Sequence, residues 1–417
     1  MVAALSRTRP RALMIAPAMP AETGNGLAMR LGVFLEALSR IADVDLAVLP
    51  VAGRVAGPSR LVERLGVRAA VIACDRPDTH FALISRLEDP KARLEAFVRY
   101  GRPRLSAGLS APVLQKLRVM AAGRNYALVH VGRAYVAAAA QSWIGSGTAL
   151  SLDLDEDDCE TLNSIARLNS RHGCLEAAAW ARAEAAAYSR LIAEVTPWFD
   201  RLWISSPLDR RCVQARHPAA KPVVVPNTVP EVKRRPRLDH GATLVFVGSF
   251  GYLPNVDAVL WFVQTAWPAL RARVPRLRFL VVGPDPPAAI LALRNRPGVV
   301  VTGRVADLGA IYARASLALV PLRAGGGTRI KLLEALSQGV AVVATRTGAA
   351  GLPVAQSCCG WIADSPEQFA AACLSGLADA AERHRRGARG RALVRRDYAR
   401  SGVLTRLACS LAVLSTK

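Results

Sequence analysis

Short apolar segments that alternate with longer, helix-patterned segments constrain the fold of this chain more than any other feature. In the C-terminal half, five such segments are bounded by glycine or proline: residues 243–247, 278–282, 299–302, 317–321 and 340–344. The chain between successive segments is long enough for a crossover helix, which parallel strands require. The pattern therefore predicts an α/β fold with a doubly wound parallel sheet, and ligands bind such sheets at the carboxyl ends of the strands.

The N-terminal half repeats this pattern. We predict strands at residues 11–16, 45–50, 69–73, 127–131 and 148–153, and a helix over 27–41. At 417 residues the chain is long enough for two domains, each with its own core. Prolines and mixed charges interrupt all periodicity between residues 226 and 239. We therefore expect two Rossmann-like domains, 1–228 and 241–388, which are joined by a linker at 229–240 and face a cleft.

A glycine-rich loop follows the apolar segment 316–322 and precedes a helical pattern. It reads Gly325-Gly-Gly-Thr-Arg-Ile-Lys-Leu-Leu-Glu334. Glycines let the backbone approach a ligand closely, and the free amides at a helix N-terminus favour an anion. Arg329 and Lys331 add positive charge, so the loop predicts a diphosphate site. The alternative is a turn that uses glycine only for its positive φ.

A series of linked signatures extends over residues 224–352. They read Phe246-Val-Gly-Ser-Phe, Val282-Gly, Val301-Thr-Gly-Arg-Val, Leu319-Val-Pro-Leu, Gly327-Thr-Arg-Ile-Lys-Leu-Leu-Glu-Ala and Gly339-Val-Ala-Val-Val-Ala-Thr. In order, spacing and residue type they resemble the GT-B glycosyltransferases of family four (glycosyl transferases group 1), in a branch with the Gly-Gly-Gly-Thr-Arg-x-Lys loop. The N-terminal half is similar more weakly, through Thr23-Gly24-Asn25-Gly26, Val129-His130-Val131 and Asp153-Leu154-Asp155.

This resemblance implies the GT-B architecture and a retaining transfer of a sugar. The donor would be a nucleotide diphosphate sugar bound mainly by the C-terminal domain. The acceptor would be a hydroxyl of a glycan, glycolipid or small molecule held by the N-terminal domain. No metal and no cofactor are implied, because such enzymes use basic side chains and a helix dipole at the leaving group. The resemblance also implies that the helix within 389–417 returns to the N-terminal domain.

Two departures from the family pattern concern the donor site. The family has two Glu residues separated by seven positions; the first is Gly326 here, whereas Glu334 matches the second, which contacts the ribose. The loop Gly248-Ser-Phe-Gly-Tyr-Leu-Pro-Asn255 lacks the Arg and Lys that often neutralise the phosphates. We infer that this charge has moved to Arg329 and Lys331.

The candidate site residues fall into three groups. The catalytic candidates are His130, Arg329 and Lys331. For the donor and its base, the resemblance implies Gly248, Ser249, Gly303, Arg304, Val305, Gly326, Gly327, Thr328 and Glu334. The candidates for the acceptor side are Gly24, Asn25, Gly26, Arg133, Asp153 and Asp155. Several have a structural alternative: His130 as a core residue, Arg133 and Arg304 as plain surface, and the two aspartates as acids at a helix N-terminus.

The composition of the chain indicates which cellular compartment and which partners to expect. The chain has eight cysteines without metal-ligand or disulfide spacing, which fits a reduced cytoplasm. The acidic run 153–158 does not have the pattern of a calcium loop. A formal net charge of +23 suits a lipid-linked acceptor or a peripheral contact with an anionic membrane surface. Nucleic-acid binding is disfavoured, because no module signature is present.

Two further functions remain open besides the transferase. One is a catalytically silent GT-B homologue that serves as a partner or scaffold, which the loss of the first Glu at Gly326 would explain. The other is a basic membrane-surface binding protein with a vestigial sugar site. Retention of Glu334 together with the loop from Thr328 to Lys331 favours the glycosyltransferase.

Overall fold

The computed structural model describes residues 9–51, 55, 57–231 and 242–414. The chain divides into two compact units. The first contains Met1–Ala166, Cys174–Thr228 and Arg400–Lys417, and the second contains Arg167–Gly173 and Val229–Ala399. The second unit thus runs past residue 388. Most of the segment that we predict as a linker, residues 232–240, lies outside the described residues.

The first unit is built on a seven-stranded sheet in which all neighbouring strands are parallel. Its strands are β1 (Arg11–Ala16), β2 (Asp43–Val48), β3 (Arg68–Val71), β4 (Leu128–Gly132), β5 (Ala149–Asp155), β6 (Arg201–Ile204) and β7 (Val223–Val224). They lie in the order β3-β2-β1-β4-β5-β6-β7. The order reverses between β1 and β4, which is where doubly wound sheets open a crevice at the strand ends.

Both faces of this sheet are covered. Along β1, Leu13 and Ile15 join one hydrophobic cluster, whereas Met14 and Ala16 join another. A strand buried on both faces must be apolar at nearly every position, as β1 is. The helices of this part of the chain are α1 (Gly26–Ile41), α2 (Arg60–Leu65), α3 (Thr79–Ile84), α4 (Pro90–Tyr100), α5 (Ala111–Ala121), α6 (Asp158–Arg171), α7 (Leu175–Val195) and α8 (Pro207–Arg216).

The second unit has a six-stranded sheet, again with parallel neighbours. Its strands are β8 (Thr243–Val247), β9 (Arg278–Val282), β10 (Val299–Gly303), β11 (Leu317–Val320), β12 (Val342–Ala344) and β13 (Gly360–Ile362), in the order β10-β9-β8-β11-β12-β13. The helices are α9 (Leu253–Thr265), α10 (Trp267–Arg273), α11 (Ala288–Leu291), α12 (Leu308–Arg314), α13 (Ile330–Ser337), α14 (Pro366–Ala378) and α15 (Ala380–Leu393). Here the order reverses between β8 and β11. The two sheets confirm the predicted class of two Rossmann-like, doubly wound domains.

One more helix, α16 (Arg400–Leu414), follows the second unit in the chain but packs in the first. Its residues Leu404, Leu407 and Leu411 are buried in the same hydrophobic cluster as Phe34 and Leu38 of α1. Among the helices of the described residues, none is both long and apolar enough to cross a membrane.

Two helices of the second unit approach so closely that the contact excludes a methyl group. A Cβ added to Gly387 of α15 would lie 2.0 Å from the carbonyl oxygen of Gly339, which follows α13. We expect Gly387→Ala to lower the free energy of unfolding of this unit by about 1–3 kcal/mol, because the helices must separate. Chemical denaturation with a probe of the second unit measures this difference.

A second helical glycine provides the control. A Cβ at Gly402 of α16 would meet nothing closer than Arg406 Nη1 at 3.6 Å. Gly402→Ala should therefore stabilise the protein by up to about 1 kcal/mol through helix propensity alone. An unchanged stability in Gly387→Ala would show that α13 and α15 are not tightly packed.

Candidate functional site

The candidate site of the second unit lies where its strand order reverses. The loop after β8 begins at Gly248, and the loop after β11 leads through the three glycines into α13. Because β8 and β11 are hydrogen-bonded neighbours, both loops leave the same edge of the sheet side by side. Most of the residues predicted for donor binding are therefore brought together.

The glycine loop takes a path that side chains would obstruct. Gly325 and Gly327 have φ angles of 114° and 67°, a region that residues with a Cβ rarely adopt. A Cβ on Gly325 would also lie 2.7 Å from the Tyr252 hydroxyl. Thr328, which ends the loop, is buried. The structural alternative is therefore partly correct, because two of the three glycines serve the turn itself.

Arg329 has a different place from the one we predicted. It precedes α13, is 6% exposed, and its Nε and Nη2 donate to the Thr347 carbonyl at 3.2 and 3.1 Å. Its Nη1 donates to the carbonyl of Gly326. Both carbonyls belong to loops, where no neighbouring strand donates a hydrogen bond to them, and a buried carbonyl needs a donor. The guanidinium thus ties the glycine loop to the loop after β12, instead of pointing toward a phosphate.

Lys331 extends from α13 toward the end of β8. Its Nζ donates to Asn255 Oδ1 and lies 4.3 Å from the centroid of the Phe246 ring. No carboxylate of the described residues forms an ion pair with it. Burial lowers its pKa to about 7, and the charge of Arg329 lowers it further, whereas Glu334 opposes the shift. The groups in direct contact with the Lys331 ammonium, the Asn255 amide and the Phe246 ring, are therefore neutral.

Glu334 lies one turn further along α13. Burial raises the pKa of its carboxyl to about 7, opposed by the charge of Lys331. Within the parts of the chain that the structure describes, no donor hydrogen-bonds to this carboxyl. The helix thus presents, three residues apart, an ammonium without an anion and a carboxyl without a donor.

The other predicted donor residues lie along the same edge of the sheet. Ser249 is exposed, and its carbonyl accepts from Asn255 Nδ2 at 2.7 Å. Gly303, with a φ of 72°, ends β10, which is separated from β8 by β9. Beyond it Arg304 is exposed, whereas Val305 is half-buried against the core of the unit. Among the residues that the structure describes, none pairs with the Arg304 side chain.

In the first unit, the early glycine loop follows β1 at the reversal of strand order. Asn25 caps α1, since its Oδ1 accepts from the Ala28 amide at 2.9 Å. Gly24 has a φ of 120°, and Gly26 is the first residue of the helix. These residues thus have a local structural task, the start of α1.

His130 is a core residue. It lies within β4, is fully buried, and stacks on Phe34 with the ring centroids 4.4 Å apart. Its Nδ1 lies 2.8 Å from Ser151 Oγ. Burial and the charge of Arg30 lower its pKa to about 3, so the ring is neutral. We predicted a loop histidine that contacts the donor; the structure gives it no access to a ligand, because both faces of the sheet are covered.

Arg133, Asp153 and Asp155, which we assigned to the acceptor, are paired within the first unit instead. Arg30 of α1 binds Asp153 through Nε and Nη2 at 2.6 and 2.7 Å, and Asp153 is only 1% exposed. Arg133 donates to Asp155 at 3.0 Å and also binds Asp158. Each of these charges has its partner inside the protein. The physical reason is that a buried carboxylate must be paired.

Three residues at these positions escaped the sequence analysis. Asn255 and Phe246 surround the ammonium of Lys331, and Arg30 neutralises Asp153. For Asn255 a signal existed, because the Pro-Asn pair ends the loop that replaces the family's phosphate-binding residues. Phe246 opens one of the quoted signatures, but nothing in the pattern indicated its contact with Lys331. For Arg30 no signal existed, because an arginine in a helix is ordinary.

The second unit also matches a known family. Residues 241–379 match the family model described as glycosyl transferases group 1. None of the curated proteins matches this chain.

Solved structures resemble the whole chain. Sucrose-phosphate synthase from Thermosynechococcus elongatus superimposes with a TM-score of 0.66 at 15% identity, over 98% of this chain and 100% of that one. HepE from Anabaena, in complex with UDP and glucose, gives 0.61 at 11% identity, over 97% and 99%. WaaG, a glycosyltransferase involved in lipopolysaccharide biosynthesis, gives 0.59 at 16% identity, over 97% and 99%. At these identities the likeness establishes the fold, which is that of the GT-B glycosyltransferases.

Proposed function

We propose that this chain is a retaining, metal-independent glycosyltransferase that moves a sugar from a nucleotide diphosphate sugar to a hydroxyl of a glycan, glycolipid or small molecule. The observation that carries this proposal is the pair on α13, in which Lys331 has no anion and Glu334 has no donor. Both lie on the helix that follows the glycine loop, at the carboxyl edge of the second sheet. This helix belongs to the part of the chain that matches the glycosyl transferases group 1 model.

The chemistry of the pair selects the ligand. Partly burying an ammonium without a counter-ion costs free energy, and an incoming anion recovers it. A carboxylate accepts hydrogen bonds on both oxygens, which suits a pair of vicinal hydroxyls. A nucleotide diphosphate sugar offers both groups, with the diphosphate for Lys331 and the ribose hydroxyls for Glu334.

The same arrangement would assist the reaction. As the sugar leaves, negative charge develops on the β-phosphate, and donors already aimed at it lower the barrier. Lys331 and the free amides at the start of α13 supply such donors. Arg329 contributes indirectly by holding the loop that precedes these amides. Retention of configuration and the class of acceptor rest on the family resemblance alone.

A thermal-shift panel tests the donor site. We expect UDP, GDP, ADP or dTDP, or one of their sugars, to raise the melting temperature, since a ligand that binds only the folded state stabilises it. UDP and UDP-glucose come first, because HepE was solved with each of them. Glu334→Ala should lose the shift, whereas Gln264→Ala, an exposed position on α9, should keep it.

If no nucleotide raises the melting temperature of the wild-type protein, the transferase proposal fails. The specific observation that favours a silent homologue is Gly326, which stands where the family has its first Glu. Binding of a nucleotide sugar without hydrolysis or transfer over a panel of acceptors would support that second function. A peripheral contact with an anionic membrane stays a prediction from the charge of +23.

A further inference from the structure

Asn255 connects the two loops of the proposed donor site. It lies in the first turn of α9, is 5% exposed, and its Nδ2 donates to the Ser249 carbonyl at 2.7 Å. This bond fixes the orientation of the amide, so that Oδ1 points toward the ammonium of Lys331 and accepts from it. Two residues that are 76 positions apart in sequence are thereby joined.

The surroundings of the ammonium allow little movement. The Phe246 ring lies on one side of Nζ at 4.3 Å. A Cβ on Gly248 would lie 2.8 Å from Nζ and 2.9 Å from Asn255 Nδ2, so a side chain there would displace the lysine or the amide. The backbone of Gly283 lies directly against that of Gly248, since an added Cβ on Gly283 would lie 1.8 Å from the Gly248 carbonyl oxygen. We call this enclosure by Phe246, Gly248 and Asn255 the lysine socket.

The neutrality of Asn255 matters as much as its position. An amide oxygen accepts a hydrogen bond from an ammonium without cancelling its charge. An aspartate of the same shape would form an ion pair and would place a negative charge beside the site of the diphosphate. The titratable groups that face Lys331 are Arg329 and Glu334 on its own segment and Tyr312 of α12, which donates to the Lys331 carbonyl. Asn255 therefore orients the lysine without neutralising its charge.

We propose that Asn255 is a positioning residue of the donor site, which holds the Lys331 ammonium against the Gly248–Ser249 loop and keeps its charge available to the diphosphate. This inference rests on the proposed function. It does not assign Asn255 a contact with the donor; the residue acts through Lys331.

The first test needs no nucleotide. The rate at which Lys331 reacts with an amine-directed reagent is followed against pH by mass spectrometry of its peptide. In Asn255→Asp we expect the midpoint to rise by at least about 1 pH unit, because an opposite charge within hydrogen-bonding distance favours the ammonium. In Asn255→Ala the lysine should react faster, since the socket is open. Gln264→Ala on the same helix should match the wild type.

The second test measures nucleotide affinity in the same proteins. Asn255→Asp should bind the nucleoside diphosphate at least about 10-fold more weakly, although its lysine is more fully charged, because the carboxylate repels the phosphates. Asn255→Ala should also bind about 10-fold more weakly, since the ammonium is no longer oriented. A merely structural role would lower the melting temperature without moving the labelling midpoint in Asn255→Asp.

The outcomes separate the two proposals. An unchanged labelling midpoint in Asn255→Asp overturns the positioning role, whatever the nucleotide data are. A shifted midpoint with unchanged affinity overturns the role of Asn255 in the donor site and leaves the proposed function intact. A shifted midpoint in a protein whose wild type binds no nucleoside diphosphate overturns the proposed function and, with it, the donor role of Asn255.

Discussion

Lys331→Met is expected to weaken binding of the nucleoside diphosphate by about 30- to 100-fold, which corresponds to about 2–3 kcal/mol. The variant keeps most of the length of the side chain but removes a partly buried charge with which no carboxylate of the described residues forms an ion pair. Charge-assisted hydrogen bonds to a phosphate are about twice as strong as neutral ones. Isothermal titration calorimetry with the nucleotide identified by the thermal-shift panel measures the loss.

The pH dependence of binding provides a control, because a misfolded variant would lose binding at every pH and would not lose one limb of the pH profile. With a pKa of about 7 in the empty site, Lys331 is charged below pH 7, so this group weakens binding as pH rises through 7. Glu334, also near 7, becomes an acceptor on both oxygens above that pH and strengthens binding. The wild type should therefore bind best near pH 7, whereas Lys331→Met should show only the rising limb and Glu334→Gln only the falling one.

The stability of Lys331→Met supplies a second control. Methionine in place of a partly buried ammonium removes a desolvated charge, so the melting temperature of the ligand-free variant should not fall. Binding within about 3-fold of the wild type, in a folded variant, would place the diphosphate elsewhere and would contradict our assignment of the donor site.

Arg30→Met should lower the free energy of unfolding of the first unit by about 3–5 kcal/mol, because it leaves the buried Asp153 carboxylate without its partner. Arg30 also donates to the Val225 carbonyl at 2.9 Å and to Asn227 Oδ1 at 3.0 Å, and both acceptors would lose a donor. Urea unfolding followed with a probe in the first unit measures the change. A combined transition of both units would not report it cleanly.

Two comparisons show whether the loss comes from the buried charge. The double variant Arg30→Met/Asp153→Leu should recover a large part of the stability, since apolar residues often replace a buried ion pair at little cost. Arg396→Ala breaks an exposed pair with Asp397 and should leave the stability almost unchanged, because solvent screens such pairs. A cost below about 1 kcal/mol for Arg30→Met itself would mean that Asp153 finds water or another partner.

The fold could be predicted from sequence wherever an apolar segment is long and ends in glycine or proline. The segments 11–16, 243–247 and 278–282 coincide with β1, β8 and β9. The strands β6, β7 and β13 were not predicted, because they are two to four residues long and have only two or three apolar residues in a row, too few to distinguish a strand from a loop. They are strands because a neighbouring strand supplies the hydrogen bonds, which is a tertiary effect.

The candidate site was only partly predictable. Local patterns located the glycine loop, Lys331 and Glu334, because a strand, a loop and the start of a helix can be recognised from about a dozen consecutive residues. The direction in which a side chain points cannot be recognised from such a local pattern. Whether Arg329 faces a phosphate or the Thr347 carbonyl depends on a loop 18 residues away, and Arg30 meets Asp153 across 123 residues. Such pairings become visible only when the chain is folded.

The packing of α16 against α1 also bears on how the protein is made. The cluster that buries Phe34 and Leu38 is completed by Leu404, Leu407 and Leu411, which leave the ribosome only after the whole second unit. During synthesis, part of the apolar surface of the nascent first unit therefore stays uncovered until α16 has been translated. The second unit, whose core is continuous from Val229 onward, can fold meanwhile. We therefore expect the first unit, although it is translated first, to complete its hydrophobic core after the second unit.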